Sequence, residues 1–251
     1  MATGAPSSYD EIAGMYHALW ADWYLPAAMP ALERLFFAGI PAEGRVLDLC
    51  CGSGHVTKDL VKRGYEVTGV DNSAELIALA QRELPGIDLR VQDATELRLD
   101  ARYDAALSTF DSLNHILSLD GLRNVFEGVH RVLKKGGLFV FDMNMEEAYS
   151  MDLREWAVDV KEQSVGMVRG KYDAAAKRAF TELIWFVKTG KDNAWQQRRS
   201  IVEQRCYPQE EVLLALSAAG FQHVDAIPAR DAGVTSDLGL GRVFFVARAQ
   251  E

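Results

Sequence analysis

Val46-Leu47-Asp48-Leu49-Cys50-Cys51-Gly52-Ser53-Gly54-His55-Val56-Thr57 decides the fold. A short apolar run ends in two glycines, and an amphipathic segment with apolar Val56, Leu60 and Val61 follows. That is the pattern of a buried strand turning sharply into a helix. Gly52 and Gly54 allow backbone angles and a close ligand approach that a Cβ forbids. The helix start offers unpaired N–H groups, which favour a carboxylate or phosphate. Tyr65-Glu66-Val67-Thr68-Gly69-Val70-Asp71 is a second apolar run, and it ends in an acid. It lies about twenty residues past the glycines, as in dinucleotide folds where such an acid holds ribose hydroxyls. Thr57 stands where the dinucleotide fingerprint has its third glycine.

The rhythm continues downstream. Residues 73–84 read as a helix with Leu76, Ile77, Leu79 and Ala80 inward, capped by Asn72 or Ser73 and stopped by Pro85-Gly86. Ile87–Val91 is a third strand, ending in Gln92-Asp93-Ala94, and Tyr103–Phe110 is a fourth, running into Asp111-Ser112-Leu113-Asn114-His115. Leu122–Leu133 is a helix ended by Lys134-Lys135-Gly136-Gly137, and Leu138–Asp142 is the fifth strand. Near-continuous apolar strands alternating with helices indicate a parallel sheet covered on both faces, with ligands beyond its carboxyl ends. Four of those ends carry an acid or a carboxamide, and a set directed at one crevice is a site.

At 251 residues, 49% of them hydrophobic, the chain fits one large α/β domain with a small insertion. A formal charge of −9 argues against a nucleic-acid partner, whose phosphates are held mainly by Lys and Arg. Cys50 and Cys51 are adjacent and Cys206 stands apart, so no disulfide framework is implied and a reducing cytoplasm fits. Met1–Asp10 lacks the pattern of a signal peptide, and no apolar run reaches the roughly 18–20 residues of a membrane span. No Cys/His spacing points to a metal.

The runs VLDLCCGSG, GVD, VQDA, YDAALSTFDSLNH and VLKKGGLFVFDMN, in order over about residues 45–145, closely resemble the class I S-adenosylmethionine (SAM) dependent methyltransferases. Within that class the chain is most similar to bacterial small-molecule methyltransferases that modify amines or sugars at N or O. The resemblance implies an α/β fold: a doubly wound, mostly parallel, seven-stranded Rossmann-like sheet with an antiparallel β insertion after strand 5 and an N-terminal helical lid. It divides the chain into a lid (1–45), a SAM-binding core (46–148), an inserted substrate cover (149–207) and a C-terminal helix plus hairpin (208–251). Gly52 and Gly54 would pass the methionyl part, Asp71 would bind both ribose hydroxyls, Asp93 would accept from the adenine amino group, and the Ala94 amide would face the ring. Cys51, Asn72, Phe110 and Tyr16 complete the expected cofactor surroundings. Asp48 either caps the turn by accepting backbone N–H bonds or also reaches the SAM amino group. SAM has a carboxylate, a diol and a sulfonium but no pyrophosphate, so the lost third glycine matters less than it would for NAD.

The flanks supply the acceptor's side. Ile12, Tyr16, Leu19, Trp20 and Trp23 follow helical spacing, giving either a helix that covers the sheet or a lid whose aromatics close over a cation. Pro26 and Pro30 break that helix before another over 31–38. Residues 165–172, 178–188 and 195–207 alternate and read as an antiparallel meander of about three strands. Arg169, Trp185, Arg199 and Arg205 on it either touch substrate or face outward at an edge or dimer contact. Pro208 starts a helix, and the strands Phe221–Ile227 and Arg242–Ala247 close the chain as an antiparallel hairpin.

Methyl transfer is an in-line displacement in which the protein supplies orientation and a deprotonated nucleophile. His115, after the fourth strand, is the candidate general base, with a helix-start histidine free of chemistry as the competing reading. Asp111, Asn114 and Asn144 are placed to orient the acceptor, and Trp20 to line its pocket. Serine, threonine and phenylalanine precede Asp111, unlike the Asn/Asp-Pro-Pro-aromatic box of enzymes that methylate base or glutamine amides. The expected reaction is therefore methylation of a small molecule, releasing S-adenosylhomocysteine, by a monomer or homodimer. A macromolecular (rRNA, tRNA or protein) methyltransferase and a non-catalytic SAM-binding module are the alternatives.

Overall fold

The computed structural model describes residues 7–150, 155–189 and 194–250, apart from the side chains of 19–22. In chain order the core elements are α1 (Ala13–Met15), α2 (Ala21–Leu35), β1 (Arg45–Leu49), α3 (His55–Lys62), β2 (Glu66–Asp71), α4 (Ala74–Glu83), β3 (Asp88–Val91), β4 (Tyr103–Ser108), α5 (Leu119–Val132), β5 (Leu133–Asn144) and α6 (Glu146–Tyr149). An insertion follows, comprising β6 (Ala157–Val160), β7 (Ser164–Asp173), β8 (Arg178–Thr189) and β9 (Ala194–Arg205). Then come α7 (Gln209–Ala218), β10 (Phe221–Pro228) and β11 (Arg242–Ala249).

The main sheet has the order β10-β11-β5-β4-β1-β2-β3. Strands β1 to β5 are parallel, while β11 runs against both β5 and β10. This is the expected doubly wound sheet. Alternation along each strand feeds two apolar layers. Leu47, Leu49, Phe139 and Phe141 face Val125, Phe126 and Val129 of α5 and Leu216 of α7. Val46, Leu107 and Val140 face Ala28 and Leu32 of α2 and Leu60 of α3. β1 lies between β2 and β4, so the winding reverses between β1 and β4 and their carboxyl ends open a crevice.

Three local expectations are corrected. α2 runs through Pro26 and Pro30, which the sequence reading made breakers. Both are exposed and four residues apart, so the carbonyls they leave unpaired lie on the helix's watery side while Tyr24, Ala28 and Leu32 anchor the other. Lys134-Lys135-Gly136-Gly137 lies inside β5 instead of ending a helix; Gly136 takes φ +70°, and the register with β4 shifts between Tyr103 and Ala105. The insertion has four antiparallel strands, the extra one being β6, a four-residue edge strand exposed along its whole length.

The N-terminal segment passes through a 3-10 turn (Asp10–Ile12), α1 and a π turn (Tyr16–Trp20) into α2. It is wedged between the core and the inserted sheet. Ile12 and Met15 pack with Leu183 and Val202. The Trp185 ring lies so close to Gly14 that a Cβ there would sit 2.5 Å from it. Ser200 Oγ donates to the Ser8 carbonyl (2.9 Å) and Lys161 Nζ to the Ala18 carbonyl (2.5 Å).

Candidate functional site

A cleft of about 1570 Å³ opens at the carboxyl ends of the parallel strands, between the sheet, the N-terminal segment and the insertion. Its first half is built by β1, β2 and β3. After β1, Cys50 and Gly52 take φ +60° and +55°, and Gly52 lets Tyr16 approach to 3.1 Å from where a Cβ would stand. Asp71 fixes this turn: Oδ2 accepts from the Gly52 amide (2.9 Å) and Oδ1 from the Ser73 amide (2.8 Å). Burial raises the Asp71 pKa, and the two amides oppose that rise. Ser73 caps α4 by accepting from Leu76 N (3.1 Å), and its hydroxyl donates to Asp10 of the N-terminal segment (2.6 Å). After β3, Asp93 Oδ1 accepts from Thr95 N and Oγ1 (2.8 and 2.7 Å), and Gln92, Asp93 and Ala94 line the cleft beside Asn72.

Asp48 is buried behind this loop and accepts from Thr57 Oγ1 at 2.5 Å. Burial pushes its pKa up to about 7. The residue at the third fingerprint position thus supplies a hydroxyl to hold the strand's acid, which a glycine cannot do.

The second half is built by β4, β5, β9 and β11. Phe110 and Asp111 both take positive φ (+63° and +47°), strained for non-glycine residues. The Asp142 carboxylate over-determines the bend by accepting from both amides, at 2.8 and 3.1 Å. Asp142 also accepts from Tyr24 Oη (2.8 Å) and from Arg242 Nη1. Arg242 Nη2 donates to Asp111 Oδ1 at 2.7 Å, so one buried guanidinium joins two buried carboxylates. Burial raises the Asp142 pKa, with Arg242 opposing. Tyr24 stacks on Phe110 at 4.5 Å.

His115 stands at the centre. Its Nδ1 is 3.0 Å from the Glu203 carbonyl, which can only accept, so Nδ1 carries the proton and Nε2 the lone pair. Tyr9 Oη and Gln204 Nε2 lie 3.0 and 3.1 Å from Nε2 and share its single lone pair as donors. Burial lowers the His115 pKa, opposed by the Asp111 charge. The ring is therefore neutral at pH 7, with its basic atom at the cleft. Tyr9 meets both His115 and Tyr16 edge to face (5.3 and 5.7 Å), so π-rich walls flank the gap between His115 and the glycine turn.

Gly52, Asp71, Asn72, Asp93, Ala94, Phe110, Asp111, His115, Asn144 and Tyr16 all line this one cleft. Gly54 lies behind it as the N-cap of α3. The Cys51 side chain joins Ile77, Ala80 and Leu89 in an apolar cluster, and its neighbour Cys50 lines the cleft. Asn114 departs from its expected role beside the acceptor. It is fully buried, with Nδ2 donating to the Asn144 and Arg205 carbonyls (3.1 and 2.9 Å) and Oδ1 accepting from Asn144 N (3.0 Å), so it splices three chain segments. Arg169 alternates to the face opposite Gly166, Val168 and Gly170, pairs with Glu182 (2.5 Å) and lies over Trp156. Arg199 joins the same acid (2.5 Å), and Arg205 lies over Tyr207. Trp185 packs on Gly14 instead of lining the cleft. The side chain of Trp20 is outside the described ones.

Sequence reasoning missed Arg242, Gln204 and Tyr149. Gln204 did leave a signal, since it occupies the inward parity of β9 between Val202 and Cys206. Among the described residues no group of His, Cys, Asp or Glu is arranged to hold a metal, and no helix is long and apolar enough to cross a membrane.

Residues 46–137 match the family described as methyltransferase domain. The chain is 29% identical over 224 residues to a putative methyltransferase of Bacillus subtilis (strain 168), a match covering 87% of this chain and 85% of that protein. Among solved structures it is similar to an S-adenosylmethionine-dependent methyltransferase from Clostridium acetobutylicum ATCC 824, with TM-score 0.79, 21% identity and coverage of 98% of this chain and 100% of that one. It is also similar to the sugar N-methyltransferase KedS8 from Streptoalloteichus sp ATCC 53650, with TM-score 0.73, 21% identity and coverage of 100% and 99%.

Proposed function

We propose that the chain, a SAM-dependent methyltransferase by the domain match over residues 46–137 and by its relatives, methylates a nitrogen or oxygen atom of a small molecule, with an amine as the favoured acceptor. The observation that carries this reading is the His115 lone pair, held on the cleft side 3.0 Å from Tyr9 Oη and facing the π-rich gap. The cleft is larger than the roughly 300–1,000 Å³ of a pocket for one small ligand, which accommodates a cofactor and an acceptor together. Aromatic rings and carboxylates on its walls suit cations, and a sugar N-methyltransferase shares the whole fold.

The residues present fit the cofactor. Gly52 leaves open a cradle beside Tyr16 that a Cβ would fill, and the Asp71 carboxylate stands within that turn. We assign Asp71 to the ribose diol, Asp93 and the Ala94 amide to the adenine edge, and Tyr16 and Phe110 to the sulfonium's surroundings. Bound SAM supplies an electrophilic methyl group and a neutral thioether leaving group. The chain's own task is to orient the acceptor and remove its proton. His115 Nε2, neutral at pH 7, takes the proton that an ammonium or hydroxyl presents, and the two donors that share its single lone pair, Tyr9 Oη and the Gln204 amide, give way to the acceptor. The N-terminal segment and the inserted sheet keep water from the line of attack.

Two measurements test this. Calorimetry is expected to show binding of SAM and S-adenosylhomocysteine and none of NAD; Asp71→Ala weakens SAM by about 1.5–3 kcal/mol, roughly 10–150-fold. Unchanged affinity in that variant removes Asp71 from the ribose. Incubation with SAM and a panel of amino sugars, other small amines and hydroxylated analogues is expected to release S-adenosylhomocysteine with the amines. Methyl incorporation into RNA or protein, with none in the panel, overturns the small-molecule reading.

A further inference from the structure

We infer that Gln204, on the inserted sheet, is a positioning residue whose carboxamide holds His115 as the neutral ring with its proton-accepting nitrogen toward the cleft. Every valence of that carboxamide is specified. Oε1 accepts from Tyr149 Oη (3.1 Å). Nε2 donates one hydrogen to Asp111 Oδ2 (2.6 Å) and directs the other at His115 Nε2 (3.1 Å). Turning the amide over would set Oε1 against the Asp111 carboxylate and the imidazole lone pair at once, acceptor against acceptor at both contacts. One orientation survives, and in it Gln204 is a donor toward His115.

That orientation opposes protonation of the ring. An imidazolium would bring a second N–H against the Gln204 N–H, donor to donor, in a site where only 8% of the Gln204 surface is exposed. The charged groups around His115 are otherwise mixed. Asp111 favours the imidazolium, but Arg242 already pairs with it at 2.7 Å. Glu203 offers its carbonyl to the ring while its carboxylate lies 3.5 Å from Arg178. Tyr9 contributes a neutral hydroxyl, its pKa raised by burial and then by Asp111 and Asp71. Gln204 is the amide among them, and it spans two bodies: a residue of the cover sheet touching the β4 loop and the base together. Docking of the insertion and readiness of the base are thereby coupled through this side chain on Nε2 and the neighbouring Glu203 carbonyl on Nδ1.

The role assigned to His115 rests on the proposed function, so the test reads the imidazole directly. The protein, isotopically labelled at histidine nitrogen and saturated with S-adenosylhomocysteine, is titrated by NMR as wild type, Gln204→Met and Tyr149→Phe. Gln204→Met keeps the length of the side chain and removes the donor without adding a charge. The His115 midpoint is expected to rise by about half a pH unit or more, roughly a threefold gain in proton affinity. Tyr149→Phe removes the hydrogen bond that steadies Oε1, loosens the amide against the ring, and is expected to move the midpoint the same way by a smaller step. Midpoints within about 0.2 unit of wild type in the folded variants overturn the inference; should Gln204→Met fail to fold, Tyr149→Phe decides alone. Normal turnover by His115→Asn would remove the catalytic reading of His115 and leave the Gln204 result standing, so the two failures are distinct.

Discussion

His115→Ala is expected to lower turnover roughly 100- to 10,000-fold, the range of a lost general base, while SAM affinity measured by calorimetry stays within about twofold. The split follows from the ring's partners: it touches Tyr9, Gln204 and the Glu203 carbonyl but neither Asp71 nor Asp93. Its pH dependence carries a sign. The basic form is the neutral ring, and burial favours that form, so the wild-type rate holds through neutrality and falls only as pH drops below the ordinary histidine value of about 6.5. His115→Asn should lose that acid limb along with the rate. A variant retaining wild-type turnover, or one retaining the limb, assigns the base elsewhere.

Arg242→Met is expected to destabilise the fold by about 3–5 kcal/mol, the penalty for breaking a buried ion pair from one side, measured by urea unfolding at pH 8. The methionine fills much of the same space, so the loss is electrostatic. Asp111 and Asp142 would face each other without a cation, and Asp142 also carries the two amides that hold Phe110 and Asp111 at positive φ. In the variant Asp142, whose pKa burial already raises and Arg242 no longer opposes, gains a proton more readily than in the unfolded chain. Stability is therefore kept at low pH and lost as pH rises through the raised folded value, so the deficit against wild type shrinks towards pH 5. A deficit independent of pH would mean that packing, not charge, is what Arg242 supplies.

Much of this was legible beforehand. Period-2 and period-3.6 patterns located every parallel strand, and Gly52, Asp71, Asp93 and Asn144 at strand ends do meet in one cleft. What escaped was of two kinds. Pro26 and Pro30 looked like breakers because local rules count a missing N–H wherever it falls; tertiary burial of Tyr24, Ala28 and Leu32 carries the helix past them. Arg169 and Trp185 each kept two readings, because alternation along a strand does not say which face of a sheet is covered, or by what. Glu182 gathers Arg169 on one face, while Gly14 seats Trp185 on the other. Asn114 and Arg242 show the same limit at long range, since Asn144 and Arg205 for the one and Asp142 and Asp111 for the other lie at sequence separations of 30 to 131 residues.

The stretch from Ser7 to Trp20 touches three walls at once: Asp10 on Ser73, Tyr9 on His115, and Ile12 with Met15 on the insertion. Each wall therefore carries part of the anchorage of this one stretch, so a change made on the insertion is felt at the turn after β1; trimming Trp185 where it seats Gly14 is expected to loosen Tyr9 and Asp10 together.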